Sequence, residues 1–341
     1  MKLQPKWWLK ALSIIPKISK EEWDSLDVIA KWLIMTRSAV TTVTVFSSIV
    51  AGLLAWRDGT FLWGLWLVAT LGLFIAHGTN NILNDYTDYK RGIDTDNYFR
   101  AMYGPHPLVH KFHDAKTQMR YFFVSGFLAV LAGLYVYYRT GWDSNILILS
   151  AVGAFILLFY TYPMKHFALG EISIFFIWGP VMIGGVYYVL TQQFNWDVIL
   201  ASLPIGLSVM AINLGKHIDK LDEDKAIGVH TLPVVTGEKL ARYLNILSLA
   251  LTYLVIIHLV FISMYFTPVM LLVLLAGKEL LTSLKVLSKP KPAEAPPEYP
   301  EGAWPVWFAG FSFLHNRRFI SLFMLALIID TLLRIYLPSF W

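Results

Sequence analysis

Nine apolar stretches, each long enough to cross a lipid bilayer, constrain this chain more than any other feature. A transmembrane helix needs about 20 mostly apolar residues. Of the 341 residues, 56% are hydrophobic and 15% are charged, whereas an ordinary soluble domain has about 25% charged residues. This composition excludes a soluble enzyme and a disordered chain. The predicted spans are 36–56, 60–82, 118–138, 144–163, 170–191, 197–216, 240–262, 264–282 and 319–338.

The basic residues predict the orientation of these spans. With the N-terminus in the cytoplasm, all but three of the 28 Lys and Arg residues fall on the cytoplasmic side, and the exceptions are Arg57, Arg139 and Arg334. Cytoplasmic loops are enriched in Lys and Arg, and a wrong number of spans would destroy this asymmetry. We therefore predict an all-α fold: a bundle of nine transmembrane helices in the cell membrane, with a cytoplasmic N-terminus. The absence of Cys excludes disulfides and thiolate metal sites.

Composition also predicts how the chain is divided. The N-terminal segment is basic and amphipathic, with two tryptophans among its lysines, as in helices that lie in the membrane interface. A Pro-rich stretch near the C-terminus is expected to be extended and flexible. The predicted regions are 1–35, the amphipathic segment; 36–282, the first eight helices with their cytoplasmic loops; 283–318, the Pro-rich loop and an interfacial segment; and 319–341, the last transmembrane helix.

The cytoplasmic end of the second span carries an unusual acidic motif. Its polar residues are spaced i, i+3, i+4 and i+7, so they share one face if the span stays helical. Polar groups at the end of a membrane span are costly unless they are paired or functional. Carboxylates this close repel each other unless a cation lies among them, and oxygen ligands of this kind suit Mg²⁺. Gly92 allows a turn that returns Asp94 to the same ion; the face itself carries Asn81, Asn84, Asp85 and Asp88.

A second acidic motif ends the sixth span. Asp219 and Asp222 are three residues apart and can share a helix face, whereas Asp224 needs a bend. Lysines at 216, 220 and 225 are interleaved with these acids. One acidic cluster at a helix end is more often a solvated surface than a site. Two clusters on the same side of the membrane indicate a diphosphate site, where carboxylates hold metal ions and lysines neutralise phosphate charge.

These motifs resemble those of the UbiA superfamily of intramembrane aromatic prenyltransferases. Asn84-Asp85-x-x-Asp88 followed by Asp94 is similar to the first motif of that family, and the spacing from Asn81 resembles the branch that prenylates 1,4-dihydroxy-2-naphthoate in menaquinone synthesis. The resemblance covers roughly residues 32–240. Its further matching stretches are Tyr160-Thr-Tyr162-Pro163-Met-Lys165, Ala168-Leu-Gly170-Glu171 and Asp224-Lys225-x-x-Gly228-x-x-Thr231-Leu232.

The second motif departs from the family pattern at one position. Relatives carry D-x-x-x-D there, but Lys220 stands four residues before Asp224. Asp219 or Asp222 must then replace the missing carboxylate. The loop Gly104-Pro105-His106-Pro107-Leu108 also differs from relatives, which often have Arg-Pro.

The resemblance implies roles for individual residues. It implies a Mg²⁺-dependent transferase that uses a polyprenyl diphosphate and an aromatic acceptor within the bilayer, and neither a nucleic acid nor a protein partner is evident. Glu171 could instead cap its helix. The implied sets are Asn84, Asp85, Asp88 and Asp94 for one Mg²⁺; Asp219, Asp222 and Asp224 for another; Arg37, Arg91, Tyr162, Lys165 and Lys216 for the diphosphate; Asp85, Asp88, Asp222 and Lys165 for catalysis; and Asn81 and Glu171 for the acceptor or the cavity lining.

Other functions remain open from the sequence. The same site could serve a benzoate, homogentisate or ether-lipid acceptor, or it could cyclise a terpene with no acceptor. A transporter of a different class would use its buried acids as an ion path. That alternative predicts acids spread through the bilayer midplane, whereas the acids here cluster at the cytoplasmic ends of spans.

Overall fold

The computed structural model describes residues 2–93, 104–300 and 302–337. Every regular element within these ranges is helical. The helices are α1 Pro5–Ser13, α2 Lys20–Ser25, α3 Val28–Met35, α4 Ser38–Arg57, α5 Trp63–Lys90, α6 Ala115–Arg139, α7 Ser144–Phe159, α8 Gly170–Thr191, α9 Trp196–Asp219, α10 Leu221–Ala226, α11 Leu232–Thr236, α12 Glu238–Phe261, α13 Gly277–Leu287 and α14 Phe308–Tyr336, with 3₁₀ segments at Met164–Phe167 and Pro268–Ala276.

Six helices in the described part of the chain are long and apolar enough to cross a membrane: α4, α6, α8, α9, α12 and α14. They coincide with six of the nine predicted spans, which confirms an all-helical, multi-pass membrane protein. The count of nine and the cytoplasmic N-terminus stay predictions. α6 illustrates the membrane character, since only 11% of its most apolar stretch is buried and Phe123, Phe127 and Leu131 are exposed, as expected for a surface that faces lipid.

The other three predicted spans take different forms. α5 is 28 residues long and extends beyond the predicted end at 82 into the polar motif. α7 has only 16 residues, and the predicted span 264–282 consists of a 3₁₀ segment followed by α13. The last helix begins at Phe308 rather than at 319, so most of the predicted interfacial segment is the first part of α14.

The described chain divides into two compact units. The first consists of Met1–Phe46 and Leu67–Tyr162, and the second of Ser47–Trp66 and Pro163–Trp341. In the first unit, buried side chains of α1, α2 and α3 pack around Ile82 of α5. This cluster fixes the end of α5 that carries the acidic motif.

In the second unit, α9 packs closely against its neighbours through glycines. A Cβ added at Gly206 would lie 2.5 Å from the carbonyl oxygen of Phe175 on α8, and one at Gly215 would lie 2.8 Å from the backbone of Phe308 on α14. Small residues allow such close approach of membrane helices. α8 deviates locally into a π-helical turn at Ile177–Gly184. The start of α8 lies beside the end of α9, where Glu171 meets His217.

Candidate functional site

The acidic face of α5 forms as the sequence predicts. The helix continues past the motif, so Asn81, Asn84, Asp85 and Asp88 lie on one helix at the expected spacing. Asp85 is fully buried and Asp88 is 3% exposed, while Asn84 is half-buried. Burying a carboxylate costs free energy unless a cation or hydrogen-bond donors compensate. The first unit therefore presents two buried acids whose charge must be compensated within the protein or by a ligand.

Arg37 supplies positive charge to the first of these acids. Its Nη2 lies 3.2 Å from Oδ1 of Asp85. Arg37 has a φ of 56°, a left-handed conformation that costs a non-glycine residue on the order of 1–3 kcal/mol and is common at functional sites. Asn81 holds this turn, because its Nδ2 donates a hydrogen bond of 2.8 Å to the carbonyl oxygen of Thr36. Asn81, predicted to contact the acceptor or line the cavity, thus positions the backbone next to Arg37.

Arg91 and Tyr162, both predicted to contact the diphosphate, contact each other. The guanidinium carbon of Arg91 lies 4.0 Å from the centroid of the Tyr162 ring, which is a cation–π geometry. Both side chains are exposed. Gly92 follows with a φ of 70° and makes the expected turn after α5. Asp94, predicted to return toward the same ion, lies outside the described residues.

The α5 face has the donor chemistry of a magnesium site. Mg²⁺ binds in proteins through one or two carboxylates and completes its shell with water and substrate phosphate oxygens. Asp85 and Asp88 provide buried carboxylates one turn apart, and Asn84 provides an amide oxygen. Within the described ranges, no three His, Asp or Glu side chains come close enough to hold a metal. Other ligands of an ion here would therefore come from water, from substrate or from residues outside the described ranges, such as Asp94.

Asp219, in the second unit, caps the start of another helix. Its carboxylate accepts hydrogen bonds from the backbone N–H groups of Trp307, Phe308 and Ala309 at 2.9, 3.0 and 3.0 Å. The first N–H groups of a helix have no partner within the helix, and a carboxylate there also interacts favourably with the helix dipole. Lys291 Nζ lies 3.6 Å from the same carboxylate. Asp219 was predicted to bind a metal, but its oxygens are engaged by these donors.

The loop before α14 is also tied to this carboxylate. Tyr299 donates a hydrogen bond to the carbonyl oxygen of Val306. Burial, together with the negative charge of Asp219, raises the pKa of Tyr299 above its ordinary value of 10.0. The Pro-rich segment is thus linked to the end of α9 through Lys291 and to the residues before α14 through Tyr299.

Asp222 and Asp224 lie on α10 and differ in their surroundings. Asp224 is 1% exposed, and its Oδ1 lies 3.7 Å from Lys220 Nζ. Its Oδ2 has no hydrogen bond among the described residues. Asp222 is exposed, and Lys216 is half-buried one turn before Lys220. The three acids of the second motif therefore differ in role. Asp219 caps a helix, whereas Asp222 and Asp224 have carboxylate oxygens that could bind a metal ion.

Glu171 forms a buried pair with His217. Oε1 of Glu171 lies 2.5 Å from Nδ1 of His217 and accepts a second hydrogen bond of 3.3 Å from the backbone N–H of Leu232. Both side chains are at most 1% exposed. Lys165 is also buried, at 8% exposure, in the 3₁₀ segment before α8. His217 was not among the predicted site residues, although its place inside the second motif was the signal that could have found it.

These elements define a class of protein. Every regular element in the described part of the chain is helical, six of these helices are long and apolar enough to cross a membrane, and buried carboxylates and basic groups lie at helix ends. This is the architecture of a multi-pass membrane protein. The chain belongs to the UbiA prenyltransferase family, whose family model matches residues 45–328. It is therefore grouped with the prenyltransferase enzymes.

Named relatives refine this assignment. The chain is 31% identical over 183 residues to the 1,4-dihydroxy-2-naphthoate octaprenyltransferase of Bacillus subtilis (strain 168). That match covers 53% of this chain and 57% of the relative, so it spans little more than half of the relative's length.

Solved structures share the fold. One is of digeranylgeranylglyceryl phosphate synthase, with a TM-score of 0.59 and 17% identity over 91% of this chain and 99% of that chain. Another is a UbiA homologue from Archaeoglobus fulgidus bound to DMAPP and Mg²⁺, with a TM-score of 0.52 and 12% identity over 86% of this chain and 99% of that chain. At these identities, the likeness establishes the fold alone.

Proposed function

We propose that this chain transfers an isoprenoid group from a polyprenyl diphosphate to 1,4-dihydroxy-2-naphthoate, a step of quinone biosynthesis. The observation that carries the proposal is the buried face of Asp85 and Asp88 on α5, with Arg37 at 3.2 Å from Asp85. Such a face suits a cation and a diphosphate. The similarity to a naphthoate prenyltransferase supports the choice of acceptor.

The reaction begins with loss of the diphosphate. The bond between the allylic carbon and the diphosphate oxygen breaks, and its electron pair leaves with the diphosphate. Positive groups placed where this charge develops lower the barrier because they need no reorganisation during the reaction. The residues proposed to bind the diphosphate are Arg37, Arg91, Tyr162, Lys165 and Lys216.

Magnesium fits this scheme. Mg²⁺ would be held by Asp85, Asp88 and Asn84, with Asp94 as the further ligand expected from the sequence, and it would supply Lewis-acid charge for the leaving group. The Mg²⁺ bound to the Archaeoglobus homologue supports this choice. For a second ion we propose Asp222 and Asp224, without Asp219, whose oxygens accept backbone hydrogen bonds.

The acceptor ring completes the transfer. A ring carbon attacks the allylic cation and forms the new carbon–carbon bond. With a naphthoate, the attacking carbon is the one that bears the carboxyl group. The bond from the ring to that group breaks, the group leaves as CO₂ and releases its proton, and the electron pair of the broken bond restores the aromatic ring. Water would capture the cation, so the site must exclude it. A site embedded in the membrane, closed by active-site loops on the cytoplasmic side, meets this requirement. The proposal keeps the division of the chain into regions 1–35, 36–282, 283–318 and 319–341.

An ether-lipid acceptor is the second candidate, because the chain shares its fold with digeranylgeranylglyceryl phosphate synthase. A competition assay separates the two. Purified protein in nanodiscs receives Mg²⁺, geranylgeranyl diphosphate and equal amounts of the naphthoate and geranylgeranylglyceryl phosphate, with a hydroxybenzoate and homogentisate as further competitors. We expect the prenylated naphthoate to dominate the products. Preferential prenylation of the glycerol phosphate would overturn the proposed acceptor but keep the reaction class.

The same preparation also tests the two remaining alternatives, terpene cyclisation and ion transport. Release of diphosphate with a cyclic hydrocarbon as the product would indicate cyclisation. Family membership favours an enzyme over an ion-coupled transporter. Ion flux through proteoliposomes without any diphosphate release would reverse that preference.

A further inference from the structure

Among the buried polar atoms of the second unit that have no protein hydrogen-bond partner, four belong to side chains of neighbouring elements. The atoms are Oε2 of Glu171, Nδ2 of Asn213, Nε2 of His217 and Oγ1 of Thr231, and none has a hydrogen bond among the described residues. The exposure of these residues is 0%, 8%, 1% and 1%. Buried polar atoms in native proteins nearly always have a partner, from the protein, water or a ligand. Four such atoms indicate that something polar belongs among them.

Three elements bring these atoms together. Asn213 and His217 are four residues apart on α9 and share a face. Glu171, at the start of α8, joins this face through its bond to Nδ1 of His217. Thr231 precedes Leu232, whose backbone N–H donates to the same Glu171 oxygen. The start of α8, the end of α9 and the start of α11 therefore surround one polar site.

The Glu171 carboxylate determines what the site presents. A carboxylate accepts hydrogen bonds, so Nδ1 of His217 carries a hydrogen that it donates to Glu171, and Nε2 is the ring atom left to contact a ligand. Nδ2 of Asn213, one turn away, is a donor. A ring nitrogen and an amide donor on neighbouring turns match a hydroxyl group, because a hydroxyl can both donate and accept hydrogen bonds and its oxygen can take the amide hydrogen. Glu171 acts through His217 and is a positioning residue.

We propose that Asn213 and His217, oriented by Glu171, bind a ring hydroxyl of the aromatic acceptor. This inference rests on the proposed function, because it names the acceptor subsite of that reaction. Asn213 and His217 would make the site select a hydroxylated ring and would set the orientation of that ring toward the allylic cation. The subsite lies wholly within the second unit and uses none of the residues proposed to bind Mg²⁺ or the diphosphate.

The test measures equilibrium binding of the acceptor as well as turnover. In nanodiscs, Asn213→Leu removes the donor and keeps the branched shape and the number of heavy atoms of the side chain. We expect the dissociation constant and the KM for 1,4-dihydroxy-2-naphthoate to rise about tenfold, the usual effect of losing one hydrogen bond. The KM for the prenyl diphosphate should stay unchanged. Asn145→Leu, at an exposed amide on α7, is the matched control and should bind the naphthoate as the wild type does.

Masking the ring hydroxyl of the ligand as a methyl ether sharpens the test. The wild type should bind this methyl ether about tenfold more weakly than the hydroxylated naphthoate. Asn213→Leu should no longer distinguish the two ligands, because the hydrogen bond that separates them is already lost in the variant. Glu171→Gln, which can still accept from Nδ1, should retain most of the discrimination, and Glu171→Leu should lose it. If Asn213→Leu does not fold, His217→Phe replaces it in the same comparison.

Each outcome decides the inference separately from the proposed function. Wild-type protein that binds the naphthoate but transfers nothing to it would contradict the proposed function, while loss of binding in Asn213→Leu would still uphold the subsite. Unchanged affinity in both Asn213→Leu and His217→Phe would overturn the subsite, which would then hold only buried water. So would failure of the wild type to bind any hydroxylated ring.

Discussion

Asp88 is the residue whose chemical role separates most cleanly from its structural role. Asp88→Asn keeps the size of the side chain and removes its charge. We expect turnover to fall at least about a hundredfold, since loss of one preorganised electrostatic group costs about 10²–10³ in rate. The melting temperature in detergent should change little. Glu294→Gln, at an exposed carboxylate of the Pro-rich loop, is the control and should retain full activity; an Asp88→Asn protein with near-normal turnover would contradict the assignment.

Asp219 and Asp222 make a second contrast between single residues. Asp219→Ala removes the acceptor of three backbone N–H groups at the start of α14. Loss of a helix cap costs about 1–2 kcal/mol, so we expect a lower melting temperature. Asp222→Ala, at an exposed position, should leave stability unchanged and weaken the dependence of activity on Mg²⁺. The reverse pattern, with a stable Asp219→Ala protein that requires more Mg²⁺, would restore Asp219 as a metal ligand.

Sequence analysis was most successful where the relevant partners are local. The shared face of Asn84, Asp85 and Asp88 follows from helix geometry alone, and the structure confirms it. The capping role of Asp219 depends on backbone groups 88 to 90 residues away, which no local pattern reveals. The Glu171–His217 bond likewise joins residues 46 apart. The metal and substrate roles of all these residues remain predictions.

At the scale of elements, the close packing of α8 against α9 stabilises the second unit. A Cβ at Gly206 would lie 2.5 Å from a backbone carbonyl oxygen of α8, which a side-chain rotation cannot relieve. We therefore expect Gly206→Ala to destabilise the protein by about 1–3 kcal/mol, as overpacking does. Gly153→Ala is the matched control, because an added Cβ there meets nothing within 4 Å. Equal thermal stability of the two variants in detergent would show that this helix contact is not tight.

The N-terminal helices supply a prediction with a pH dependence. Asp27 accepts hydrogen bonds from the backbone N–H of Gln4 at 2.6 Å and from Nε1 of Trp8 at 3.0 Å, which ties the start of α3 to α1. Burial opposes its ionisation, but the hydrogen bonds from Ala30, Trp8 and Gln4 outweigh it and hold the pKa of Asp27 below its ordinary value of 3.8.

Because the folded pKa is depressed, this stabilisation is complete above pH 3.8 and is lost as the pH falls through the lower folded value. Asp27→Asn should loosen α1 already at neutral pH. Hydrogen exchange of residues 5–13, followed by mass spectrometry, should therefore accelerate in Asp27→Asn but not in Asp24→Asn, an exposed neighbour. Equal protection in the two variants would mean that Asp27 does not hold α1.

For the whole molecule, the distribution of charge predicts the side of the membrane on which each loop lies. The natural absence of Cys makes single-cysteine labelling direct. Glu294→Cys should react with an impermeant maleimide only in inverted vesicles, and Gln193→Cys only in right-side-out vesicles, because the two loops are predicted on opposite sides; both positions are exposed. Labelling of both from the same side would contradict the predicted arrangement of nine spans.

The number and limits of the spans show what hydrophobic composition can predict and what it cannot. Hydrophobicity identified the six long apolar helices because each crosses the length threshold by its own sequence. It did not foresee that α7 has 16 residues or that α14 begins at Phe308. Those limits depend on breaks and caps, such as the carboxylate of Asp219 at the start of α14, that are set by distant parts of the chain.

The most direct test of the proposed activity is transfer itself. Purified protein in nanodiscs is mixed with geranylgeranyl diphosphate and 1,4-dihydroxy-2-naphthoate, with Mg²⁺ or with EDTA, and the products are read by mass spectrometry. We predict a prenylated naphthol that has lost CO₂, together with one diphosphate per product, formed only when Mg²⁺ is present. Absence of both diphosphate release and a prenylated product, in protein that remains folded and with every chain length supplied, would contradict the proposed function.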